Sequence, residues 1–108
     1  MITAHFERAD GVDRIMGATV SGHSGFDSYG NDIVCASVSA LVLTAINALE
    51  EYVGIPCEVE IQEGYTAFRA EAIDEYTEIQ AQTIMHALEI GLLGLGEEYE
   101  GIITVISS

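Results

Sequence analysis

The stretch Ile33-Val34-Cys35-Ala36-Ser37-Val38-Ser39-Ala40-Leu41-Val42-Leu43-Thr44-Ala45-Ile46-Asn47-Ala48-Leu49 carries no charge over 17 residues. A membrane span needs roughly 20 consecutive apolar residues. This run stands at the short edge of that length and is interrupted by Ser37, Ser39, Thr44 and Asn47. It reads instead as a helix inside a folded core, buried on more than one side. In so small a chain, such a helix implies a packed partner subunit. Asn31 or Asp32 offers a side-chain oxygen to cap its first turn. The helix runs to about Val53, where Gly54 and Pro56 stop it.

On the N-terminal side, Ile2, Ala4 and Phe6 alternate with Thr3, His5 and Glu7, the period of a half-buried strand. Asp10-Gly11 is a hairpin signal, and residues 12–21 form the returning strand with Val12, Met16, Ala18 and Val20 on one face. Gly17 inside that strand suggests a bulge. Residues 22–31, rich in Gly, Ser and Asn, form a loop. On the C-terminal side, Cys57, Val59 and Ile61 alternate with Glu58, Glu60 and Gln62, and Glu63-Gly64 turns the chain into a fourth strand over about Tyr65–Ala72. A second helix starts near Asp74 and ends by the glycines at 91, 94 and 96, with Tyr76, Ile79, Thr83, Ala87 and Ile90 as its apolar stripe. A last strand covers Ile102–Ile106. The order ββ-α-ββ-α-β predicts an α+β fold, with a mainly antiparallel sheet and two helices on one face.

The chain has 108 residues, enough for one domain spanning 1–108. It holds 18 acidic residues and 3 basic ones (Arg8, Arg14 and Arg69, with no lysine), a formal net charge of −15. Nucleic-acid binders displace counterions from phosphate with lysine and arginine, so direct nucleic-acid binding is excluded, as is an anionic membrane surface. A basic partner or substrate suits such a field, although acidity also serves plain solubility. Two cysteines, Cys35 and Cys57, do not make a disulfide framework, and no signal peptide is visible in the first ten residues. Free thiols in a reducing cytoplasm are expected.

The chemistry-bearing residues concentrate in Ser21–Ser39. His23 follows a strand end on a glycine-lined loop, and Cys35 is expected in the first turn of a helix. There the dipole and unpaired N–H groups stabilise a thiolate, and the same N–H groups can hold an oxyanion. A thiolate beside a histidine is the working pair of a cysteine hydrolase. The spacing of twelve residues between His23 and Cys35 permits their meeting without forcing it. The other reading makes Cys35 a small buried hydrophobe and His23 an ordinary loop residue. Ser39, four residues after Cys35, shares its helix face and either donates into the site or back-bonds to its own helix. Asp32 either orients His23 or caps the helix. Gly22, Gly25, Phe26, Asp27, Tyr29 and Gly30 belong to a loop able to line a substrate path. His5, His23, Asp27 and Asp32 show no recognised metal-ligand spacing, and no metal or other cofactor is called for. His86 is a satisfied core or interface residue, and Cys57 falls on the inward face of its strand.

Gly22-His23-Ser24, a glycine-containing loop, and then Gly30-Asn31-Asp32-Ile33-Val34-Cys35-Ala36-Ser37-Val38-Ser39 resemble the ribosomal-processing cysteine protease family (Prp, formerly YsxB-like). Its members carry G-H-A, a loop, and G-x-D-I-V-C-A-A-x-S. Ser24 departs from the usual alanine. The resemblance extends over nearly the whole chain, including a tyrosine (Tyr99) ahead of the last strand. It implies a small α+β homodimer and a thiol endopeptidase that removes the N-terminal extension of ribosomal protein L twenty-seven, a basic substrate. By position it makes Cys35 the nucleophile and His23 the general base and acid, with Asp32 and Ser39 in support. The rival expectation is a non-catalytic acidic dimer that holds a basic ribosomal partner during assembly. A redox role for Cys35 with Cys57 ranks last, because the two are not in a C-x-x-C arrangement.

Overall fold

The structure, a computed structural model, describes residues 1–9, 12–22 and 29–108, with side chains left out of account at 29–32. The elements follow in the order β1 (Ile2–Arg8), β2 (Ile15–Ser21), α1 (Tyr29–Asn47), a π-helical extension of α1 (Ala48–Val53), β3 (Cys57–Gln62), β4 (Tyr65–Ala70), α2 (Glu75–Glu98) and β5 (Ile103–Ser107). The strands form one five-stranded sheet in the order β3-β4-β2-β1-β5. Every pairing is antiparallel except β1 with β5, which run parallel. The expected ββ-α-ββ-α-β order and α+β architecture therefore hold.

Strand alternation decides which face of the sheet is covered. Ile2, Ala4 and Phe6 of β1 are buried, while Thr3, His5 and Glu7 point to the open face. Register carries this inner face across the sheet, because Phe6 pairs with Ala18 and Ala18 with Phe68, all three buried. Strand β2 starts at Ile15, later than expected, and Val12 is exposed. The pairing slips between Glu7 and Arg8, from Gly17 to Ile15, and Met16 is skipped. That bulge, next to Gly17, turns Ile15 inward in place of Met16, so a simple period of two misassigned this end of the strand. Gly17 itself has no room for a side chain: a Cβ there would lie 2.2 Å from the Phe68 carbonyl oxygen.

Both helices cover the inner face. Helix α1 buries Val34, Val38, Val42, Ala45, Ile46 and Leu49. Its opposite face (Ile33, Ala36, Ala40 and Asn47) is uncharged and exposed, so among the described residues the helix is covered on one side only. Ile33–Val53 is long and apolar enough by itself to cross a membrane, yet here its buried face packs on the sheet. Gly54 ends the helix as expected, with φ of 78° and its N–H on the Leu49 carbonyl at 3.0 Å.

Helix α2 opens on a capping box: Thr77 N–H donates to Asp74 Oδ1 at 2.8 Å, and Asp74 N–H donates back to Thr77 Oγ1 at 3.0 Å. Its buried residues are Ala81, Met85, Leu88 and Leu92. The stripe expected from the sequence lies on the opposite pole, where Tyr76, Ile79 and Ile90 are 71%, 68% and 68% exposed. Nor do the glycines end the helix, which continues to Glu98. Gly91 instead allows close packing on α1, since a Cβ there would stand 3.3 Å from Leu41 Cδ1.

Candidate functional site

The row of side chains along α1 at intervals of four places Cys35, Ser39 and Leu43 on one line, because residues i and i+4 share a helix face. This line flanks the buried ridge of Val34, Val38 and Val42 and looks across at the β3–β4 hairpin. Between them lies a cleft of about 370 Å³, lined by Cys35, Val38, Ser39, Val42 and Leu43 from α1 and by Ile61, Gln62, Gly64, Tyr65 and Thr66 from the hairpin. Ile2, Val20 and Gly22 form its floor and end. The walls are mainly apolar, with the thiol and the Ser39 hydroxyl among the few polar groups, the usual make-up of a peptide or small-molecule cleft.

Gly22 is fixed at the end of this cleft by its backbone. Its φ is 94°, a region that an L side chain rarely enters, and its N–H donates to the Gly64 carbonyl at 2.9 Å. A Cβ at Gly22 would stand 2.3 Å from the Met1 carbonyl oxygen. This departure from β2 favours glycine at this position, and His23 is the next residue in the sequence.

The other expected site residues divide as follows. His23, Gly25, Phe26 and Asp27 lie outside the described residues. Tyr29 and Gly30, expected in the loop, are the first residues of α1, and Asn31 and Asp32 are inside the helix rather than at its cap. The backbone is already helical two residues before Asn31 and three before Asp32, so neither stands at the N-cap position. Cys35 is consequently the seventh helical residue, at the end of the second turn. The unpaired N–H groups belong to the first four residues, and the dipole's influence fades beyond the first turn. Neither thiolate stabilisation nor an oxyanion hole can be assigned to the helix terminus at this distance. Ser37 back-bonds to the Ile33 carbonyl at 2.8 Å, while Ser39 faces the cleft.

The two thiols are not equivalent. Cys57 is half-buried against the core, and desolvation, with a smaller contribution from Glu50, pushes its thiol up to about 11. Cys35 opens into the cleft. Both are free thiols.

The arginines are all engaged within the chain. Arg8 pairs with Glu89 at 2.6 Å and with Asp13 at 3.0 Å, Arg14 with Glu78 at 2.8 Å, and Arg69 with Glu7 at 3.1 Å. The Arg8 hydrogen bonds hold the Glu89 carboxyl below its usual range. His86 bonds the Gln82 carbonyl at 2.8 Å and Asp13 at 3.1 Å, a satisfied surface residue tied to its own helix. No group of three or more potential metal ligands occurs among the described residues.

Sequence reasoning missed the hairpin wall of the cleft. The alternation placed Ile61 on the inward face of its strand, but nothing local showed that this strand is an edge, left open beside α1.

Compared with known proteins, the chain matches the family model of the cysteine protease Prp over residues 1–104. It is 29% identical over 97 residues to the ribosomal processing cysteine protease Prp of Bacillus subtilis, covering 87% of each chain. It is 26% identical over 86 residues, 80% of each chain, to the protein of the same name in Staphylococcus aureus. Among solved structures, a Streptococcus mutans protein superposes with a TM-score of 0.84 at 29% identity, covering 100% of this chain and 96% of that one. The Staphylococcus aureus Prp solved with a substrate peptide superposes with a TM-score of 0.85 over 100% of both chains, at 24% identity, a likeness of fold.

Proposed function

Because the chain belongs to the cysteine protease Prp family, a family of ribosomal-processing thiol proteases, we propose that Cys35 is its nucleophile and His23 its general base and acid. The observation that carries this is the placement of Cys35 in the cleft beside Ser39, at the end of which Gly22 sends the chain into His23. Cys57, the other thiol, is raised by burial and packed against the core, and so is unsuited to attack.

In this mechanism His23 takes the Cys35 proton, and the thiolate adds to the carbonyl carbon of the scissile peptide. The tetrahedral adduct collapses to a thioester as the C–N bond breaks, and the imidazolium gives its proton to the leaving amine. Water, deprotonated by His23, then attacks the thioester and releases the acid and the thiol. Asp32 and Ser39 support this pair. The side chain of Ser39 lines the same cleft, within the row that carries Cys35. Gly25, Phe26, Tyr29 and Gly30 belong to the segment that meets the substrate. No step calls for a metal or organic cofactor.

The substrate is the N-terminal extension of ribosomal protein L twenty-seven. The charge of −15 supports a basic substrate, and with the arginines already paired to carboxylates the remaining acids are left to act outward. A homodimer is supported by the uncharged, exposed outer face of α1. Free thiols at both cysteines support a reducing, cytoplasmic setting.

The test is cleavage of ribosomal protein L twenty-seven from the same genome, read at its new N-terminus. Wild-type protein trims it, and Cys35→Ala and His23→Ala proteins, with unchanged circular dichroism, do not. Full trimming by Cys35→Ala protein would remove the proposal. Equilibrium sedimentation reads the dimer separately.

A further inference from the structure

Strand β3 is an edge of the sheet, and it borders the cleft that holds Cys35. The bonds at its two ends show which of its backbone groups turn away from β4. Gly22 N–H bonds the Gly64 carbonyl and Glu71 N–H bonds the Pro56 carbonyl, at 2.9 and 3.2 Å. These bonds fix the even-numbered residues of the hairpin's first strand as those turned toward β4. The two-residue turn at Glu63-Gly64, closing on the pair Gln62 and Tyr65, agrees. Antiparallel pairing alternates, so Cys57, Val59 and Ile61 turn their N–H and C=O groups outward, away from the sheet.

The side chains of β3 sort by face. Val59 and Ile61 stand on the helix side, where Ile61 is 61% exposed at the cleft. Glu58 and Glu60 stand on the open side. The Arg69 guanidinium, opposite Glu58, is drawn to Glu7 at 3.1 Å, and Glu60 faces Ala67. An added strand here would meet an apolar row on one face and a carboxylate row on the other, with its end directed along the cleft toward Cys35.

We infer that β3 is the docking edge for the substrate. An extended segment adds as a sixth strand beside β3, its alternate residues apolar against Val59, Ile61 and Leu43, the intervening ones lysine or arginine against Glu58 and Glu60. This inference rests on the proposed peptidase function and names the segment that function takes. Backbone bonds to an edge strand supply affinity, and the alternating side chains supply selectivity. The open edge also explains how a neutral cleft and an acidic surface serve one ligand, since the two lie on opposite faces of the same strand.

The experiment uses Cys35→Ala protein, which separates docking from cleavage. The probe is a capped synthetic peptide of alternating valine and lysine, and its control alternates valine and glutamate. Binding is followed by titration and by amide hydrogen exchange. The valine–lysine peptide is expected to bind and to slow exchange at Val59 and Ile61, with the glutamate peptide at least about tenfold weaker at low salt and the difference shrinking as salt rises. Val59→Pro, which removes one outward N–H at an edge position where proline is tolerated, is expected to weaken binding at least about tenfold. Should that variant unfold, the exposed double variant Glu58→Gln, Glu60→Gln reads the same docking through loss of the lysine preference. The inference is overturned if the peptide does not bind, if it binds without protecting Val59 and Ile61, or if lysine and glutamate peptides bind alike. It is also overturned if those two amides are already protected in the free protein, which assigns the edge to a second copy of the chain. In each of these cases wild-type cleavage of a ribosomal protein by Cys35 can still stand, so the two readings fail separately.

Discussion

Replacing Gly22 by alanine perturbs the site through the backbone alone. The position has φ of 94°, and an L-residue held in such a region costs of order 1–3 kcal/mol. The added Cβ would also stand 2.3 Å from the Met1 carbonyl oxygen. Ordinary contact distances lie about 1 Å further out, so either the start of β1 or the end of β2 has to move by that amount. Movement of β1 is resisted, because Ile2 is buried and its N–H donates to the Ile102 carbonyl at 2.7 Å. The end of β2 therefore yields, and with it the Gly22 to Gly64 bond and the departure of the His23 segment. A displacement of about 1 Å between reacting groups costs on the order of 10²-fold in rate. The expected Gly22→Ala protein is less stable by about 2–4 kcal/mol in urea unfolding, and folded variant cleaves about 10²-fold more slowly, mostly in kcat. Urea titration followed by steady-state cleavage under conditions where the variant is fully folded separates the two effects. Wild-type stability together with wild-type kcat would refute the reasoning that ties the backbone at this glycine to the site.

Iodoacetamide is expected to modify Cys35 much faster than Cys57. With its thiol pushed up to about 11, Cys57 is ionised to only about 1 part in 3,000 at pH 7.5, and peptide mapping by mass reads both rates; equal rates would contradict the separate environments of the two thiols. Glu89, held low by its two Arg8 hydrogen bonds at 2.6 and 2.8 Å, adds stability that is complete above the ordinary carboxyl value of 4.5. That stability is lost as pH falls through the lower folded value, so Glu89→Gln should cost about 2 kcal/mol near neutrality and progressively less on acidification, as read by urea titration across pH. A constant penalty at all pH values would show that the ion pair is not its source. Gly94 is exposed within α2, and a Cβ placed there would meet nothing within 4 Å beyond its neighbours and the helix's own backbone. Gly94→Ala should therefore stabilise the fold by about 0.8–1 kcal/mol through helix propensity, seen as a raised thermal midpoint; a lowered one would mean that this pole of α2 is covered.

The parts of the fold legible in the sequence are those fixed by neighbours along the chain. Ile2, Ala4 and Phe6 alternate inward because a strand's period is two, and the second helix starts near Asp74 as expected, where the structure shows a capping box with Thr77. Helix α2 shows where such reading stops. Ala81, Met85, Leu88 and Leu92 form one apolar stripe and Tyr76, Ile79 and Ile90 another, and periodicity cannot say which pole meets the sheet. The glycines at 91, 94 and 96 look like a helix end from the sequence, yet packing of Gly91 on Leu41 and of α2 beside β5 outweighs their propensity. Helix α1 starts earlier than its sequence signals indicate for a related reason: Tyr29 and Gly30 carry no local signal of helix entry. At the site, the shared row of Cys35 and Ser39 follows from helical spacing alone. The hairpin wall opposite does not, because strand order β3-β4-β2-β1-β5 arises from long-range pairing.

The central claim is that the Cys35 sulfur forms the covalent intermediate. Wild-type protein mixed with substrate and quenched in acid during turnover should show, by intact mass and peptide mapping, a thioester adduct of the N-terminal product on Cys35. The Cys35→Ala protein should show neither adduct nor cleavage. An adduct on any other residue, or cleavage that persists without Cys35, would contradict the account.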